Sequence, residues 1–466
     1  MIADKFIPDD FRTKIKAEIG TEMANKVLAA LSEEPESSVR LNSHKPYDGM
    51  LYPDMEPVGW CASGYYLQAR PSFTQNPLLH AGIFYVQDAS SMIYESITAT
   101  LSDGKPVKVC DLCAAPGGKT TAILNALPAG SVMLANEFSA SRANILKENL
   151  SKYGYPEIIV TNSPTDRLAP MKGWFDIVAV DAPCSGEGMM RKDETARTQW
   201  SEGLVRQCAN LQKEILSNAI EMIAPGGYLI YSTCTFNTTE DEDNAGWIAS
   251  EFGLIPVDTG LAGHNGIQKQ VKGDVPCLRF MPGFTRGEGL FVAVFKKPDN
   301  NDDSRSYRKV TKRGKDKNEV KEKKAPDIMN KAKSWINGEY KILNHDGHLL
   351  ALTQATENLL DAIPKGIKII AAGIEIGEIK GKDLIPSHKL AMSVAMNHPF
   401  PETELTQKDA LRYLAKEAIV LPPDTPKGYV TVTYEGHPLG FVKNLGNRSN
   451  NLYPIEYRIR NLKIKD

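Results

Sequence analysis

Cysteine and net charge are both scarce in this chain, and their scarcity excludes two classes of protein. Seven cysteines among 466 residues are too few, and odd in number, for the disulfide framework of a small secreted protein, so we expect a reducing compartment. A formal net charge of −2 argues against a protein that coats nucleic acid through its global charge. No apolar run approaches the roughly 18 residues of a membrane span. The first ten residues lack the basic-then-apolar pattern of a secretion signal, so the sequence predicts a cytoplasmic protein that does not enter membranes.

Three common ligand-binding patterns are also missing. The glycine-rich segment 113–120, Cys-Ala-Ala-Pro-Gly-Gly-Lys-Thr, does not match the dinucleotide pattern G-x-G-x-x-G. It is not a P-loop either, because Leu112 stands where that motif requires glycine. Cys110 and Cys113 form a Cys-x-x-Cys pair, but no second pair of ligands with comparable spacing accompanies it. We therefore expect no metal site and no phosphate-binding P-loop.

A regular alternation of strands and helices begins near residue 107. Short runs rich in Ile, Val and Leu predict strands at 107–112, 131–136, 158–161, 175–180 and 228–233. Helical segments at 117–127, 140–153 and about 204–223 separate them, which predicts a doubly wound α/β sheet. Two further runs, 278–281 and 290–296, predict an antiparallel edge on that mostly parallel sheet.

The length of the chain predicts several domains. Residues 1–100 form an N-terminal extension with a helix at 11–31, a strand at 38–42 and an irregular, proline-marked stretch to Leu79. The α/β unit occupies 101–298. A basic linker spans 299–330, since Ser304 to Lys324 contains ten Lys or Arg and three Asp or Glu; it is either a solvated tether or a phosphate-reaching segment. A small intermediate domain follows at 331–385, then a β-rich domain at 386–466 in which Glu435-Gly436 predicts a hairpin turn.

Two cysteines directly follow buried strands. Cys184 lies in Asp-Ala-Pro-Cys at 181–184, and Cys234 lies in Ser-Thr-Cys at 232–234. Ligands of open parallel sheets bind at the carboxyl ends of the strands, so two thiols placed there predict a site at which sulfur does chemistry. Taken singly, each cysteine is better interpreted as a small apolar residue near a core. The nearby cations Arg191 and Lys192 either hold a backbone phosphate or face water.

A ribose-bearing cofactor is predicted by two features of the first two strands. The small residues of 113–118 let the backbone approach a ligand closely, and the following helix begins with free N–H groups. Glu137 ends the second strand, 20 residues after Gly117, where an acidic side chain accepts hydrogen bonds from ribose hydroxyls. The alternative for Glu137 is a solvated acid at a helix start.

Together these motifs resemble one family. Cys-Ala-Ala-Pro-Gly-Gly-Lys at 113–119, Asp-Ala-Pro-Cys-Ser-Gly-Glu-Gly at 181–188 and Tyr-Ser-Thr-Cys-Thr at 231–235 resemble the Nol/Nop/Sun (Fmu) RNA cytosine-C5 methyltransferases, in particular their bacterial RsmF-like 16S rRNA branch. The segments 85–92 and 434–440 extend the resemblance along almost the whole chain.

The resemblance implies a fold, a cofactor and a partner. The fold is a Rossmann-like class I S-adenosylmethionine-dependent methyltransferase with an N-terminal extension and a C-terminal PUA-like RNA-binding domain. The partner is ribosomal RNA, as free small-subunit RNA or as the 30S subunit, and we expect a monomer. The implied cofactor-binding residues are Cys113, Ala114, Ala115, Pro116, Gly117, Gly118, Lys119, Glu137 and Asp181.

The resemblance also implies roles in catalysis. Cys234 is the nucleophile that attacks carbon 6 of cytosine, because carbon 5 is too weakly nucleophilic to accept a methyl group unaided. Cys184 assists release, Asp181 recognises the base, and Lys119 has either a polar role at the site or a role in helix-start contacts or packing. Two alternatives stay open: Cys184 as nucleophile, as in DNA cytosine methyltransferases, and a non-catalytic RNA-binding ribosome assembly factor. A nicotinamide dehydrogenase is disfavoured by the missing glycine pattern.

Two segments depart from the family pattern. Pro164 occupies the position of the carboxylate that usually meets the adenine, which leaves Asp166 and Asn162 as candidates. The terminal module reads Tyr-Pro-Ile-Glu at 453–456 in place of a basic Tyr-Pro-Lys-Gly ending. The nearby cations that compensate for this loss of charge are Arg448, Arg458, Arg460, Lys463 and Lys465.

Overall fold

The computed structural model describes residues 6–299 and 326–462. Most of the predicted basic linker, as well as Lys463 and Lys465, lies outside the described residues. Within these two ranges no helix is both long and apolar enough to cross a membrane.

The N-terminal region combines two helices with a small antiparallel sheet. The helix predicted at 11–31 is two helices, because Gly20 adopts φ +82° between them. Strands β2 and β3 and helix α3 lie in the stretch predicted to be irregular up to Leu79, so that prediction is wrong. Strand β3 obtains its hydrogen bonds from β1, which is distant in sequence, and β2 pairs with β3. The sheet order is β2-β3-β1-β4. The elements are α1 Asp9–Ile19, α2 Thr21–Leu31, β1 Ser37–Leu41, β2 Glu56–Val58, β3 Cys61–Leu67, α3 Pro77–His80, β4 Phe84–Val86 and α4 Ile93–Ser102.

The predicted strand and helix alternation is confirmed. Five parallel strands, in the order β9-β8-β5-β6-β7, form the centre of the main sheet and are flanked by helices on both faces. The predicted antiparallel edge is confirmed as well, since β12 pairs with β9, and β10 and β11 pair with β12. The elements are β5 Lys108–Asp111, α5 Gly118–Ala126, β6 Val132–Asn136, α6 Ala140–Tyr153, β7 Ile158–Asn162, β8 Phe175–Asp181, α7 Glu194–Gln199, α8 Glu202–Met222, β9 Ile223–Thr233, α9 Glu242–Phe252, β10 Ile255–Pro256, β11 Cys277–Phe280 and β12 Leu290–Lys296.

The C-terminal region adds a strand to the main sheet and builds two further sheets. Strand β15 pairs antiparallel with β7, while β13, β14, β16 and β17 form a sheet of their own. The predicted hairpin at 435–436 is confirmed as β19–β20, with positive φ at both turn residues, as a two-residue hairpin turn requires. The elements are α10 Pro326–Lys333, β13 Lys341–His345, β14 His348–Leu352, α11 Gln354–Ala362, β15 Lys368–Ala372, β16 Ile374–Lys380, β17 Asp383–Pro386, α12 His388–Met392, β18 Glu402–Glu404, α13 Gln407–Leu414, β19 Gly428–Tyr434, β20 His437–Asn444 and β21 Ser449–Asn451.

Apolar side chains cover both faces of the main sheet. Val109 and Ile177 belong to the buried cluster on one face, and Cys110 and Val178 belong to the cluster on the other. Burial on both faces explains why these strands read as continuous apolar runs. The polar residues that follow β5, β6, β8 and β9 are therefore left at the carboxyl edge of the sheet.

Candidate active site

The two predicted thiols lie side by side at that edge. The Sγ atoms of Cys184 and Cys234 are 3.1 Å apart, and both cysteines are free thiols. The backbone N–H of Cys234 donates to Cys184 Sγ at 3.3 Å. The hydrogen bond with Cys234, followed by burial, raises the pKa of the Cys184 thiol well above its usual range. Cys184 is therefore protonated at neutral pH, beside a second thiol that it can serve as a proton donor.

Asp181, the last residue of β8, is fixed through both of its carboxylate oxygens. Lys119 Nζ donates to Oδ2 at 2.9 Å, and Ser232 Oγ donates to Oδ1 at 2.7 Å. The fully buried Tyr94 donates in turn to Ser232 Oγ at 2.8 Å. Burial alone lowers the pKa of Lys119, but the charge of Asp181 and its hydrogen bond more than offset this, so the net pKa is raised. Lys119 is therefore a charged ammonium that lies on Asp181, next to the thiols.

The loop 113–119 turns sharply from β5 into α5. Gly117 adopts φ +111° at the turn, which only glycine tolerates without strain, and α5 begins at Gly118. Thr121 Oγ1 donates to the Gly117 carbonyl at 2.8 Å and accepts from the fully buried Arg40 at 2.6 Å. Because Arg40 belongs to β1, the N-terminal sheet stabilises the first turn of α5. Burial raises the pKa of Cys113 well above its usual range, so this thiol stays neutral.

Glu137 follows β6 and faces the same edge. Its Oε1 accepts the N–H of Ser139 at 2.8 Å, and Arg142 lies 3.6 Å from Oε2. These contacts leave Oε2 with acceptor capacity for a hydroxyl group. Phe138, the next residue, is 72% exposed, an unusual state for a large aromatic ring. A carboxylate acceptor beside an exposed ring fits the ribose and the flat base of a nucleoside. Phe138 was not predicted from the sequence, where its position directly after Glu137 was the one available signal.

Neither candidate for the missing adenine carboxylate is placed like a carboxylate ligand. Asn162 donates from Nδ2 to the carbonyl oxygens of Glu137 and Phe138, both at 2.8 Å, so it braces the strand end. Asp166 is exposed within a short 3-10 helix that follows Pro164. The adenine contact after β7 therefore stays unassigned.

The cations Arg191 and Lys192 share one carboxylate, that of Glu288. Arg191 is 5% exposed and binds Glu288 through two nitrogens, with Nε 3.0 Å from Oε2 and an NH2 contact of 2.8 Å to Oε1. Lys192 Nζ lies 3.1 Å from the same carboxylate. Arg191 thus neither faces water nor remains free for a phosphate, which contradicts both alternatives for this residue.

The sequence reasoning also missed several buried polar partners of the site. Tyr94 and Ser232 act on Asp181, while Asp88 accepts the N–H of Glu288 at 2.9 Å, and burial raises the pKa of its carboxyl. Asp88 and Ser232 lie inside motif segments that carry the family resemblance, which was a usable signal. Tyr94 lies two residues beyond one such segment and gave none.

Comparison with known proteins identifies similar chains along most of the sequence. Residues 99–296 match a family model described as 16S rRNA methyltransferase RsmB/F. Residues 7–89 match the N-terminal domain of 16S rRNA methyltransferase RsmF, and residues 400–459 match the methyltransferase RsmF PUA domain.

Individual relatives and structures agree with these matches. Ribosomal RNA small subunit methyltransferase F of Escherichia coli O7:K1 is 28% identical over 97% of this chain and 96% of its own length. The protein of that name from Enterobacter sp. is 27% identical with the same coverage. A methyltransferase homologue from Pyrococcus horikoshii has a TM-score of 0.52 at 25% identity, covering 62% of this chain and 95% of that one. NSun6 from Pyrococcus horikoshii has a TM-score of 0.53 at 19% identity over 63% of this chain and 99% of that one, which supports the fold.

Proposed function

The chain belongs to the RsmB/F family of rRNA methyltransferases, and on that premise we propose that it methylates carbon 5 of cytosine in small-subunit rRNA. The observation that carries the proposal is the pair of thiols, 3.1 Å apart at the end of two parallel strands, next to the Lys119–Asp181 ion pair. A methyltransferase that acts on oxygen or nitrogen needs no thiol, whereas carbon 5 of cytosine requires covalent activation. We further propose that the enzyme acts as a monomer in the cytoplasm.

S-adenosylmethionine is the cofactor, and it supplies an electrophilic methyl group on a sulfonium centre. The residues that would hold it are those of loop 113–119, Glu137 and Asp181. Glu137 retains an acceptor for a ribose hydroxyl, Phe138 offers an exposed ring, and the start of α5 offers unpaired backbone N–H groups. The residues present therefore fit a ribose-bearing cofactor.

In the proposed mechanism, Cys234 forms a bond from Sγ to carbon 6 of the extruded cytosine, and its thiol proton passes through solvent to the ring nitrogen of the base. The electron pair of the carbon 5–carbon 6 double bond shifts toward the ring nitrogen, which makes carbon 5 nucleophilic. Asp181 contacts the Watson–Crick edge of the base, where a proton at the ring nitrogen offsets the developing charge. Lys119 and Ser232 keep both oxygens of Asp181 oriented for that contact.

Release reverses the covalent bond. Once carbon 5 carries the methyl group, the carbon 5 proton passes to solvent, the double bond re-forms and the bond from Cys234 Sγ to carbon 6 breaks. The ring nitrogen then returns its proton to solvent, from which Cys184 regains the proton that it donates. Cys184 is protonated at neutral pH and lies in contact with Cys234, so it can protonate the departing thiolate. The contact between the two sulfur atoms supports a release step in which one thiol protonates the other, and we assign attack to Cys234 and release to Cys184.

Two cysteine variants and one mapping experiment test the proposal. 5-Methylcytosine is mapped in small-subunit rRNA from cells with and without the protein. Purified Cys234→Ala and Cys184→Ala are then incubated with unmodified RNA or 30S subunits and cofactor, and adducts are resolved on denaturing gels. We expect Cys184→Ala to accumulate a covalent adduct and Cys234→Ala to form none. The reverse pattern makes Cys184 the nucleophile, and an absence of methyl transfer by the wild-type protein supports an assembly factor.

The C-terminal module is proposed to bind the RNA substrate. Three of the compensating cations, Arg448, Arg458 and Arg460, are exposed. Replacing all three with Ala should weaken RNA binding. The slope of log affinity against log salt concentration should become shallower by roughly one for each phosphate that the protein no longer neutralises, measured by fluorescence anisotropy across a salt series. An unchanged salt slope would remove these residues from the RNA-binding surface.

A further inference from the structure

Two buried carboxylates cross between the loops that carry the thiols. We name residues 182–188, which follow β8, the Cys184 loop, and residues 234–241, which follow β9, the Cys234 loop. Glu187 belongs to the first loop and Glu240 to the second, and they are 1% and 0% exposed. Neither carboxylate is paired with a lysine or arginine in the described part of the chain, so hydrogen bonds alone compensate their burial.

Glu187 reaches from the Cys184 loop to the backbone of the Cys234 loop. Its Oε2 accepts the N–H of Phe236 at 2.8 Å and the hydroxyl of Thr235 at 3.0 Å, directly after Cys234. Its Oε1 accepts Trp200 Nε1 at 2.9 Å and an Asn237 amide N–H at 3.0 Å. All four acceptor positions of this carboxylate are filled.

Glu240 makes the reciprocal contact. Its Oε2 accepts the N–H of Ser185, the residue after Cys184, at 3.0 Å, and Gln212 Nε2 at 2.7 Å. Its Oε1 accepts the amide of Asn237 at 2.8 Å. Gln212 also donates to the Pro183 carbonyl at 2.9 Å, so the peptide groups before and after Cys184 are hydrogen bonded to Gln212 and Glu240, respectively.

Asn237 and Gly188 add further hydrogen bonds between the two loops. The Asn237 amide donates to both Glu187 and Glu240, and its Oδ1 accepts the N–H of Glu240 at 2.9 Å. The N–H of Gly188 donates to the Cys234 carbonyl at 2.8 Å, and a Cβ at this glycine would lie 3.0 Å from that oxygen. The two loops are therefore joined backbone to carboxylate in both directions.

We propose that Glu187 and Glu240 are positioning residues that set the spacing of the two thiols, Glu187 for attack by Cys234 and Glu240 for release by Cys184. The inference rests on the proposed function, since it assigns each carboxylate to one half of the covalent cycle. The assignment follows from what each carboxylate holds. Glu187 fixes the Thr235 hydroxyl and the peptide between Thr235 and Phe236, the two residues after Cys234, and Glu240 fixes the peptide between Cys184 and Ser185.

Loss of either carboxylate should have a distinct kinetic consequence. In Glu187→Met, Thr235 and Phe236 lose their acceptor, so the Cys234 thiol is displaced and adduct formation should slow on the order of 10²-fold, the cost of about 1 Å of misplacement. In Glu240→Met, Ser185 loses its acceptor, so adduct formation should stay within a few-fold of wild type, while release slows and adduct accumulates as in Cys184→Ala. Gln variants should show the same split with smaller amplitude, because either amide orientation turns an NH2 group toward existing donors.

The test is a single-turnover experiment on the full-length protein with RNA and cofactor, which measures adduct formation and adduct decay separately on denaturing gels. The matched control is Glu95→Met, which removes a largely buried carboxylate that accepts from Ser63 and Asn125, residues of neither loop. The control should leave the ratio of the two rates unchanged. Melting temperature and cofactor affinity are measured for every variant, because a merely structural role would lower stability and slow both rates together.

The possible results distinguish a failure of the positioning role from a failure of the proposed function. If the wild-type protein makes no 5-methylcytosine and Cys184→Ala traps no adduct, the proposed function fails. If the wild-type protein makes 5-methylcytosine and Cys184→Ala traps an adduct, but the two glutamate variants slow the same step, or neither step, the positioning role is refuted. Should the Met variants not fold, Trp200→Phe and Gln212→Leu each remove one donor to one carboxylate from outside the loops. Slower attack in Trp200→Phe and slower release in Gln212→Leu support the proposal, and equal effects overturn it.

Discussion

Arg279 is the cation whose removal should most strongly change the stability of the thiol loops. It is 1% exposed, its Nε donates to Glu242 Oε1 at 2.8 Å, and one terminal nitrogen lies 3.2 Å from Asp241 Oδ2. The other terminal nitrogen donates to the Phe236 carbonyl at 3.0 Å, inside the Cys234 loop. Arg279→Met leaves two adjacent carboxylates buried without a counter-charge.

The expected cost follows from that uncompensated charge. Removing one partner of a buried ion pair destabilises a protein by about 3–5 kcal/mol. For a catalytic unit of about 200 residues, each kcal/mol corresponds to roughly 2–4 °C, so the melting temperature should fall by about 6–20 °C. The double variant Arg279→Met/Glu242→Leu removes one of the stranded charges and should recover part of the loss.

The loss should also depend on pH, with a defined sign. Burial already raises the pKa of Asp241 although Arg279 opposes the shift, so removal of Arg279 raises this pKa further. A carboxyl whose folded pKa lies above its unfolded value contributes stability that is present at low pH and lost as pH rises through the folded pKa. The deficit of Arg279→Met relative to wild type should therefore be larger at pH 8 than at pH 5, measured by scanning calorimetry at a fixed scan rate. A pH-independent deficit, or a double variant no more stable than the single one, would refute the electrostatic reasoning.

Three further perturbations separate cofactor binding, catalysis and stability. Lys119→Met removes one of the two donors that orient Asp181 and should lower single-turnover methyl transfer at saturating cofactor on the order of 10²-fold. Cofactor affinity should fall much less, because the backbone of 113–118 and Glu137 remain; a loss of affinity as large as the loss of rate would show that Lys119 acts mainly on the cofactor. Thr121→Val removes the hydroxyl that holds the Gly117 carbonyl and should weaken cofactor binding about fivefold in calorimetric titrations, about 1 kcal/mol, with the methyl transfer rate at saturating cofactor unchanged. Burial raises the pKa of Asp111 to about 7, so its contribution to stability is lost as pH rises from about 4 to 7. Asp111→Asn should flatten the pH dependence of the melting temperature over that window, and an unchanged slope would contradict the assignment.

The main sheet could be predicted because its information is local. Buried parallel strands read as uninterrupted apolar runs, and the helix predicted at 140–153 has those bounds in the structure. Strands β3 and β15 were not predicted, since each pairs with a strand far away in the sequence. The same distinction applies to the site. The positions of Cys184, Cys234 and Glu137 follow from strand ends, whereas Tyr94 reaches Ser232 across 138 residues of chain.

The register of β8 and β9 converts two distant motifs into one site. Asp181 pairs with Ser232, so Cys184 comes three residues after one member of the pair and Cys234 two residues after the other. Val178 opposite Leu229 and Val180 opposite Tyr231 are fully buried, and a slip of one residue would turn the Tyr231 hydroxyl away from Gln212 Oε1, to which it donates at 3.1 Å. The same pairing places Ser232 Oγ on Asp181. The apolar residues of the two strands thus bring Asp181 and the two thiol loops to one edge of the sheet, and within that arrangement the crossed carboxylates are proposed to set the spacing of the thiols.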